Sequence, residues 1–433
     1  MNGMTITEKI LARHAGKANV QAGDAVWVDA DLLMTHDVCG PGTIGIFKKQ
    51  FGANAKVFHP GKVAVIPDHY IFTQDIHAKR NLDILRAFAK EQGLPHFYDA
   101  GTEHYKGVCH VALAEEGFTV PGIVLFGTDS HTCTAGAFGL FATGIGNTDA
   151  AFILGTGKLW LKVPATRRVV LDGGLPAYVM AKDVILHLIG KLGVDGANYQ
   201  TVEFDGDGVS AMDMDERMTL CNMVIEAGGK NGVVAADGMT EAFLKGKTEA
   251  SWERIQNDAE CRFLSDERID SRSLEPVVAK PYSPAKVEPV RKMGDVKLDQ
   301  CYIGSCTGGK MTDFLAAARI LRGNRIKVKT VVVPATCSLE MDLKRETIDG
   351  KTLHDIFVEA GVEVGPPSCA ACLGGPEDTF GRLNGKEVCI STTNRNFPGR
   401  MGSMESKTYL ASPLTVAASA LKGKITDPRE YLS

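Results

Sequence analysis

Short β-branched and apolar runs recur along the chain, each bounded by Gly or Pro. KVAVIP (62–67), IVLFG (123–127), VVLD (169–172), QCYIG (300–304), KTVVVP (329–334) and VCIST (388–392) predict buried strands. Between them, NLDILRAFAKEQG (81–93), TDFLAAARILRG (312–323) and LHDIFVEAG (353–361) predict helices, the last two closed by Gly. Strand–helix alternation predicts an α/β fold of mainly parallel sheets flanked by helices. In such sheets ligands sit beyond the carboxyl ends of the strands. Those ends are polar in four places. Asp68-His69, Thr128-Asp129-Ser130-His131, Ser305-Cys306-Thr307 and Thr393-Asn394-Arg395 each follow a predicted strand. Four such runs point to one site assembled from several loops.

The proline-rich stretch EPVVAKPYSPAKVEP (275–289) reads as an extended crossover between domains, and a weaker break falls near Pro164. The expected division is 1–164, 165–285 and 286–433, with no internal repeat. The chain has 433 residues, 44% hydrophobic and 23% charged, a balance that excludes disorder over most of its length. No run is long and apolar enough for a membrane helix, and MNGMTITEKILARH lacks an apolar signal core. A net charge of −4 with no basic run argues against nucleic acid as partner. Eleven cysteines, an odd and scattered set, do not read as a disulfide framework. They imply a reducing compartment, expected to be the cytoplasm.

The candidate chemistry starts with Cys369-Ala-Ala-Cys372, set among Gly and Pro, and with Cys306 between a strand and a helix. Three cysteines suit an iron–sulfur cluster with one iron left open, while a redox pair or a zinc site stays possible on these residues alone. Asp68 beside His69 can hold an imidazole charged as a general acid. Glycines 136, 139, 144 and 146 mark close backbone packing, without a nucleotide fingerprint. Asn222 and Glu226 stand four apart, expected on one helix face before Gly228-Gly229. Asn394-Arg395 and Arg400 suit an anionic small substrate.

Taken in order, THDVCGPGTI (35–44), PDHY (67–70), GVCH (107–110), GTDSHT (127–132), CNMVIEAGG (221–229), IGSCT (303–307), CAACLGG (369–375) and NRNFPGR (394–400) resemble the aconitase superfamily over nearly the whole chain. The likeness is greatest to the large subunits of its two-subunit isopropylmalate isomerase and homoaconitase branch. The resemblance implies a three-domain core without the mobile fourth domain. It implies one 4Fe–4S cluster on Cys306, Cys369 and Cys372, with one iron not held by protein. It implies catalytic roles for Asp68, His69, His110, Asp129, Ser130, His131 and Glu226. His36, Asn222, Asn394, Arg395 and Arg400 would face or support the substrate. The implied reaction is dehydration and rehydration of a small hydroxy acid, isopropylmalate first, with homoaconitate, citramalate and 2,3-dimethylmalate as rivals. No base stands out in the chain, so a separate small subunit is expected to supply it. An RNA-binding apo-form and a zinc scaffold are the non-enzyme alternatives. Gly308 where Asn is usual, Ser368, Pro398 and Met401 depart from the family pattern and leave the substrate open.

Overall fold

All six predicted strands form, and each lies within a sheet in a computed structural model that describes residues 3–432. Val63–Val65 and Val124–Gly127 flank Leu32–Thr35, with His96–Phe97 and Phe141–Gly144 outside them, and every pairing is parallel. The three inner strands are buried at every position, which is why their sequences are continuous apolar runs rather than alternating ones. A second sheet has the order Asn231–Val234, Thr201–Asp205, Thr166–Asp172, Ser265–Asp270. The third has seven strands and is centred on Val388–Ser391, Gln300–Ile303 and Lys329–Val332, which run parallel.

The predicted helices form with shifted ends. The first runs Ile76–Gln92 rather than from 81, because the Asp75 carboxylate accepts from the Ala78 amide and caps it there. The other two are Met311–Leu321 and Leu353–Ala360.

The proline-rich stretch is not an extended crossover. Val277–Ala279 and Val287–Pro289 pair antiparallel as a hairpin on the seven-stranded sheet. Its four prolines fall where no ladder amide is needed: Pro276 just before the first strand, Pro281 and Pro284 in the turn, and Pro289 on the edge strand.

The chain divides into two compact units. The first comprises 1–105, 109–172 and 197–269, and the second 106–108, 173–196 and 270–433. Leu33, Phe47, Val65, Leu85, Phe126 and Phe141 lie in the core of the first. Ile303, Phe314, Val332, Phe357 and Ile390 lie in the core of the second. Among the described residues no helix is long and apolar enough to cross a membrane.

Candidate active site

In the first unit, three neighbouring parallel strands end together and deliver three polar loops. Leu32–Thr35 leads into His36-Asp37, Val63–Val65 into Asp68-His69, and Val124–Gly127 into Asp129–His131. A Cβ at Gly144 would meet the Asp129 carbonyl at 2.6 Å and Ser130 Cα at 2.7 Å, so only glycine lets the neighbouring strand pass this loop.

Asp37 organises the acid loop. Its Oδ1 accepts from the amides of Asp68 (2.9 Å) and His69 (3.0 Å), and its Oδ2 accepts from Tyr70 (2.7 Å). Asp37 lies in the segment THDVCGPGTI (35–44), which by itself assigns it no role. The available signal was a carboxylate directly beyond a strand, beside His36. Asp37→Ala would leave three amides without this acceptor, two of them on buried residues. The expected cost is about 1–3 kcal/mol, read as a lower melting temperature.

His69 Nδ1 lies 2.6 Å from Asp68 Oδ1, and Asp68 Oδ2 accepts from the Cys109 amide at 2.8 Å. Burial alone would push the His69 imidazole down, but the charge of Asp68 and its hydrogen bond override this, with Asp37 and Asp129 adding, and raise it to about 9. Burial likewise pushes Asp68 up, and its charged partner His69, then His36 and the Cys109 amide, bring it below the usual carboxylate range. The His36 ring sits 4.6 Å from that of His69. Burial first, and the charge on His69 second, hold His36 below its ordinary value. The arrangement stores one proton on His69 and disfavours a second on His36.

Asp129 is the second hub. Its Oδ1 meets His110 Nε2 at 2.9 Å, the His131 amide at 2.7 Å and His131 Nδ1 at 3.3 Å, while Oδ2 lies 3.7 Å from His36 Nε2. Against the opposing effect of burial, the hydrogen bonds from His110 and His131 hold it well below the carboxylate range. His131 Nε2 reaches Glu226 Oε1 at 2.8 Å, and half-buried Ser130 places its Oγ 3.5 Å from His131 Nδ1. Asn222 donates its amide to Thr134 Oγ1 at 2.7 Å.

Asn222 and Glu226 do not share an α-helical face. The α-helix Met214–Asn222 ends at Asn222, and Glu226 lies on the 3-10 turn Met223–Ala227, which Gly228 closes at φ 85°. The tighter turn before the glycine aims Glu226 at His131. Among the described residues, two side-chain groups have ligand atoms within 4.8 Å of one another and could hold a cation: His36, Asp37, Asp68 and His69; and His110, Asp129 and His131.

The second unit carries the sulfurs. Cys306, Cys369 and Cys372 are all buried. Ser305 Oγ lies 3.6 Å from Cys306 Sγ and 4.0 Å from Cys369 Sγ. Ser305 itself has φ +75°, a strained conformation that turns the chain sharply beyond Gln300–Ile303. Cys369 precedes the 3-10 turn Ala371–Leu373 and Cys372 lies within it; the two are joined as a disulfide, with Cα atoms 5.5 Å apart. The cysteines therefore include a local pair, which the scattered odd count did not suggest. Three-residue spacing across one tight turn brings the two sulfurs together.

Asn394 donates its Nδ2 to Cys306 Sγ at 3.4 Å, and Arg395 and Arg400 lie half-buried on the same loop. Gly308, the departure from the family pattern, has a steric cause. A Cβ there would collide with the Thr392 side chain. Two buried sulfurs beside one seryl hydroxyl, a third joined to one of them, and an amide hydrogen bond to Cys306 form a soft donor set that fits an iron–sulfur cluster once the pair is reduced.

The profile of the aconitase family (aconitate hydratase) matches residues 8–423. The chain is 56% identical to the chloroplastic 3-isopropylmalate dehydratase large subunit of Arabidopsis thaliana, over 99% of this chain and 87% of that protein. It is 44% identical to 3-isopropylmalate dehydratase large subunit 1 of Methanopyrus kandleri, over 99% and 100%. It is 42% identical to the large subunit of the same name from Aquifex aeolicus, over 99% and 98%.

Proposed function

The chain belongs to the aconitase family, and from that premise we propose that it is the cluster-bearing large subunit of a hydro-lyase isomerising 3-isopropylmalate through 2-isopropylmaleate. The observation that carries the reading is the buried Asp68–His69 pair, which holds a proton at His69 at neutral pH.

Dehydration of a hydroxy acid breaks a C–O bond and a C–H bond and forms C=C. The departing hydroxyl needs a proton, and His69 is the group prepared to give it. Asp68 keeps that proton available beforehand and stabilises the ring's orientation. Asp37 fixes the loop on which both stand. His110, His131 and Asp129 form a hydrogen-bonded set suited to orienting the hydroxyl or the departing water, with Ser130 beside it and Glu226 buttressing His131. We assign His36 and Asn222 to the substrate side, and Asn394, Arg395 and Arg400 to its carboxylates or to the support of that pocket.

The family implies an iron–sulfur cluster, and we assign its ligation to Cys306, Cys369 and Cys372. When bound, it supplies a Lewis acid for the hydroxyl. The proton on carbon needs a base, which we place on a small subunit, in keeping with the name "large subunit" carried by the relatives. Cluster loading needs reduced thiols, which supports a cytoplasmic location. Homoaconitate, citramalate and 2,3-dimethylmalate are the competing substrates.

The test is iron and acid-labile sulfide content after anaerobic reconstitution under reducing conditions, with Cys369→Ala alongside. About four of each per wild-type chain, lost in the variant, is expected for a 4Fe–4S centre. Zinc, or no metal, would contradict the assignment.

The pH dependence follows from His69. The dehydrating form carries the imidazole proton, so kcat/KM for dehydration stays level below about pH 9 and falls above it. Stability follows the same direction. The folded pKa lies above the unfolded value of 6.5, so this contribution is complete below 6.5 and is lost as pH rises through about 9. A pH–rate profile and melting temperatures across that window check both.

A further inference from the structure

Lys182 is 1% exposed, in the first turn of the helix Ala181–Leu192. A buried ammonium is costly unless its protons are satisfied, and it is seldom kept without cause. Its Nζ donates to Thr307 Oγ1 at 3.1 Å, to the Thr392 carbonyl at 2.8 Å and to the Thr393 carbonyl at 2.7 Å.

These acceptors are informative by position. Thr307 directly follows Cys306, and Thr392-Thr393 directly precede Asn394, whose amide donates to Cys306 Sγ. Thr307 Oγ1 also donates to the Thr392 carbonyl at 2.8 Å, so the two loops and the ammonium form one closed network. The helix position therefore binds the strand end carrying Cys306 to the strand end carrying its hydrogen-bond donor. A second buried lysine nearby, Lys310, reaches the Cys306 carbonyl at 3.1 Å but is paired with Asp313 at 3.0 Å. Lys182 also interacts electrostatically with its buried neighbour Asp183.

We propose that Lys182 is a positioning residue of the cluster site, which holds the Asn394–Cys306 hydrogen bond in register and sets a fixed positive charge beside the thiolate centre. This rests on the assignment of the cluster to Cys306, Cys369 and Cys372. Reduction adds negative charge to a cluster, so a buried cation favours the reduced state, as does a hydrogen bond to a ligating sulfur. Removing Lys182 withdraws the charge and loosens the donor, and both changes lower the reduction potential.

The experiment uses the full chain, reconstituted anaerobically, as wild type, Lys182→Met and Lys182→Arg. Midpoint potentials are read by electron paramagnetic resonance during redox titration, beside iron and sulfide content and melting temperature. Lys182→Met is expected to load its cluster and to lose at least tenfold in the reduction equilibrium, about 59 mV for one electron. Lys182→Arg, which keeps the charge, is expected to recover most of that loss. A loaded Met variant with unchanged potential overturns the proposal and leaves the cluster assignment standing. A wild type that takes up no iron and sulfide overturns the assignment, and the proposal with it.

If Lys182→Met fails to fold or to load, Thr307→Val decides, since it keeps the lysine and removes one anchor. At least threefold faster iron release to a chelator, at unchanged melting temperature, supports the proposal. An unchanged release rate overturns it.

Discussion

Replacement of Cys306 by Ala is expected to remove all turnover above the uncatalysed background in the mixture with the small subunit, while leaving a folded chain. Cys306 is buried directly beyond Gln300–Ile303, beside Ser305 and under the Asn394 amide. Its Sγ is the one sulfur of the proposed ligand set that comes from outside the Cys369–Cys372 turn. Without it two sulfurs remain, too few to hold a cluster that three were assigned to hold. The backbone around it stays supported by Lys310 on its carbonyl and by the Thr307–Thr392 hydrogen bond. Iron and sulfide analysis alongside circular dichroism separates loss of cluster from loss of fold. Retained turnover in a Cys306→Ala chain would contradict the assignment.

Asp68→Asn has the second largest expected effect, a fall in dehydration of about 10² to 10⁴, the range a positioned acid contributes. The amide is close in shape, so its carbonyl oxygen can still accept from the Cys109 amide, as Asp68 Oδ2 does at 2.8 Å. What it lacks is the charge that, with its hydrogen bond, raises His69 to about 9 against the opposing effect of burial. With that charge gone, burial dominates, and the alkaline limb of the rate profile moves from near pH 9 to lower pH. At low pH part of the activity returns, because a proton can again be placed on His69. A loss of rate equal at all pH values would mean that Asp68 acts in some other way than through the imidazole.

Much of the candidate chemistry was legible because α/β folds place polar groups at strand ends. Asp68-His69, Asp129–His131 and Cys306 each follow an apolar run whose burial on both faces made it recognisable. Short-range spacing was less dependable. Asn222 and Glu226 at four apart suggested a helix face, but the helix tightens to a 3-10 turn before Gly228. The prolines of 275–289 suggested a linker, because composition does not distinguish an edge hairpin from an open crossover.

The supporting residues were far less legible. Asp37 acts on amides 31 to 33 positions away, and Lys182 on carbonyls 210 and 211 positions away. Asp and Lys are mostly surface residues; nothing local marks Lys182, and Asp37 is marked only by its place directly beyond a strand. Their roles exist only as long-range contacts.

The decisive experiment mixes the anaerobically reconstituted chain with a small subunit of this family. The mixture is supplied with 3-isopropylmalate, and the unsaturated acid is followed by its ultraviolet absorbance. The expected result is the unsaturated acid and its rehydrated isomer from the mixture, neither from either subunit alone, and slower reaction with homoaconitate or citramalate. Full activity from this chain alone, or none from a mixture whose large chain carries its iron and sulfide, would contradict it.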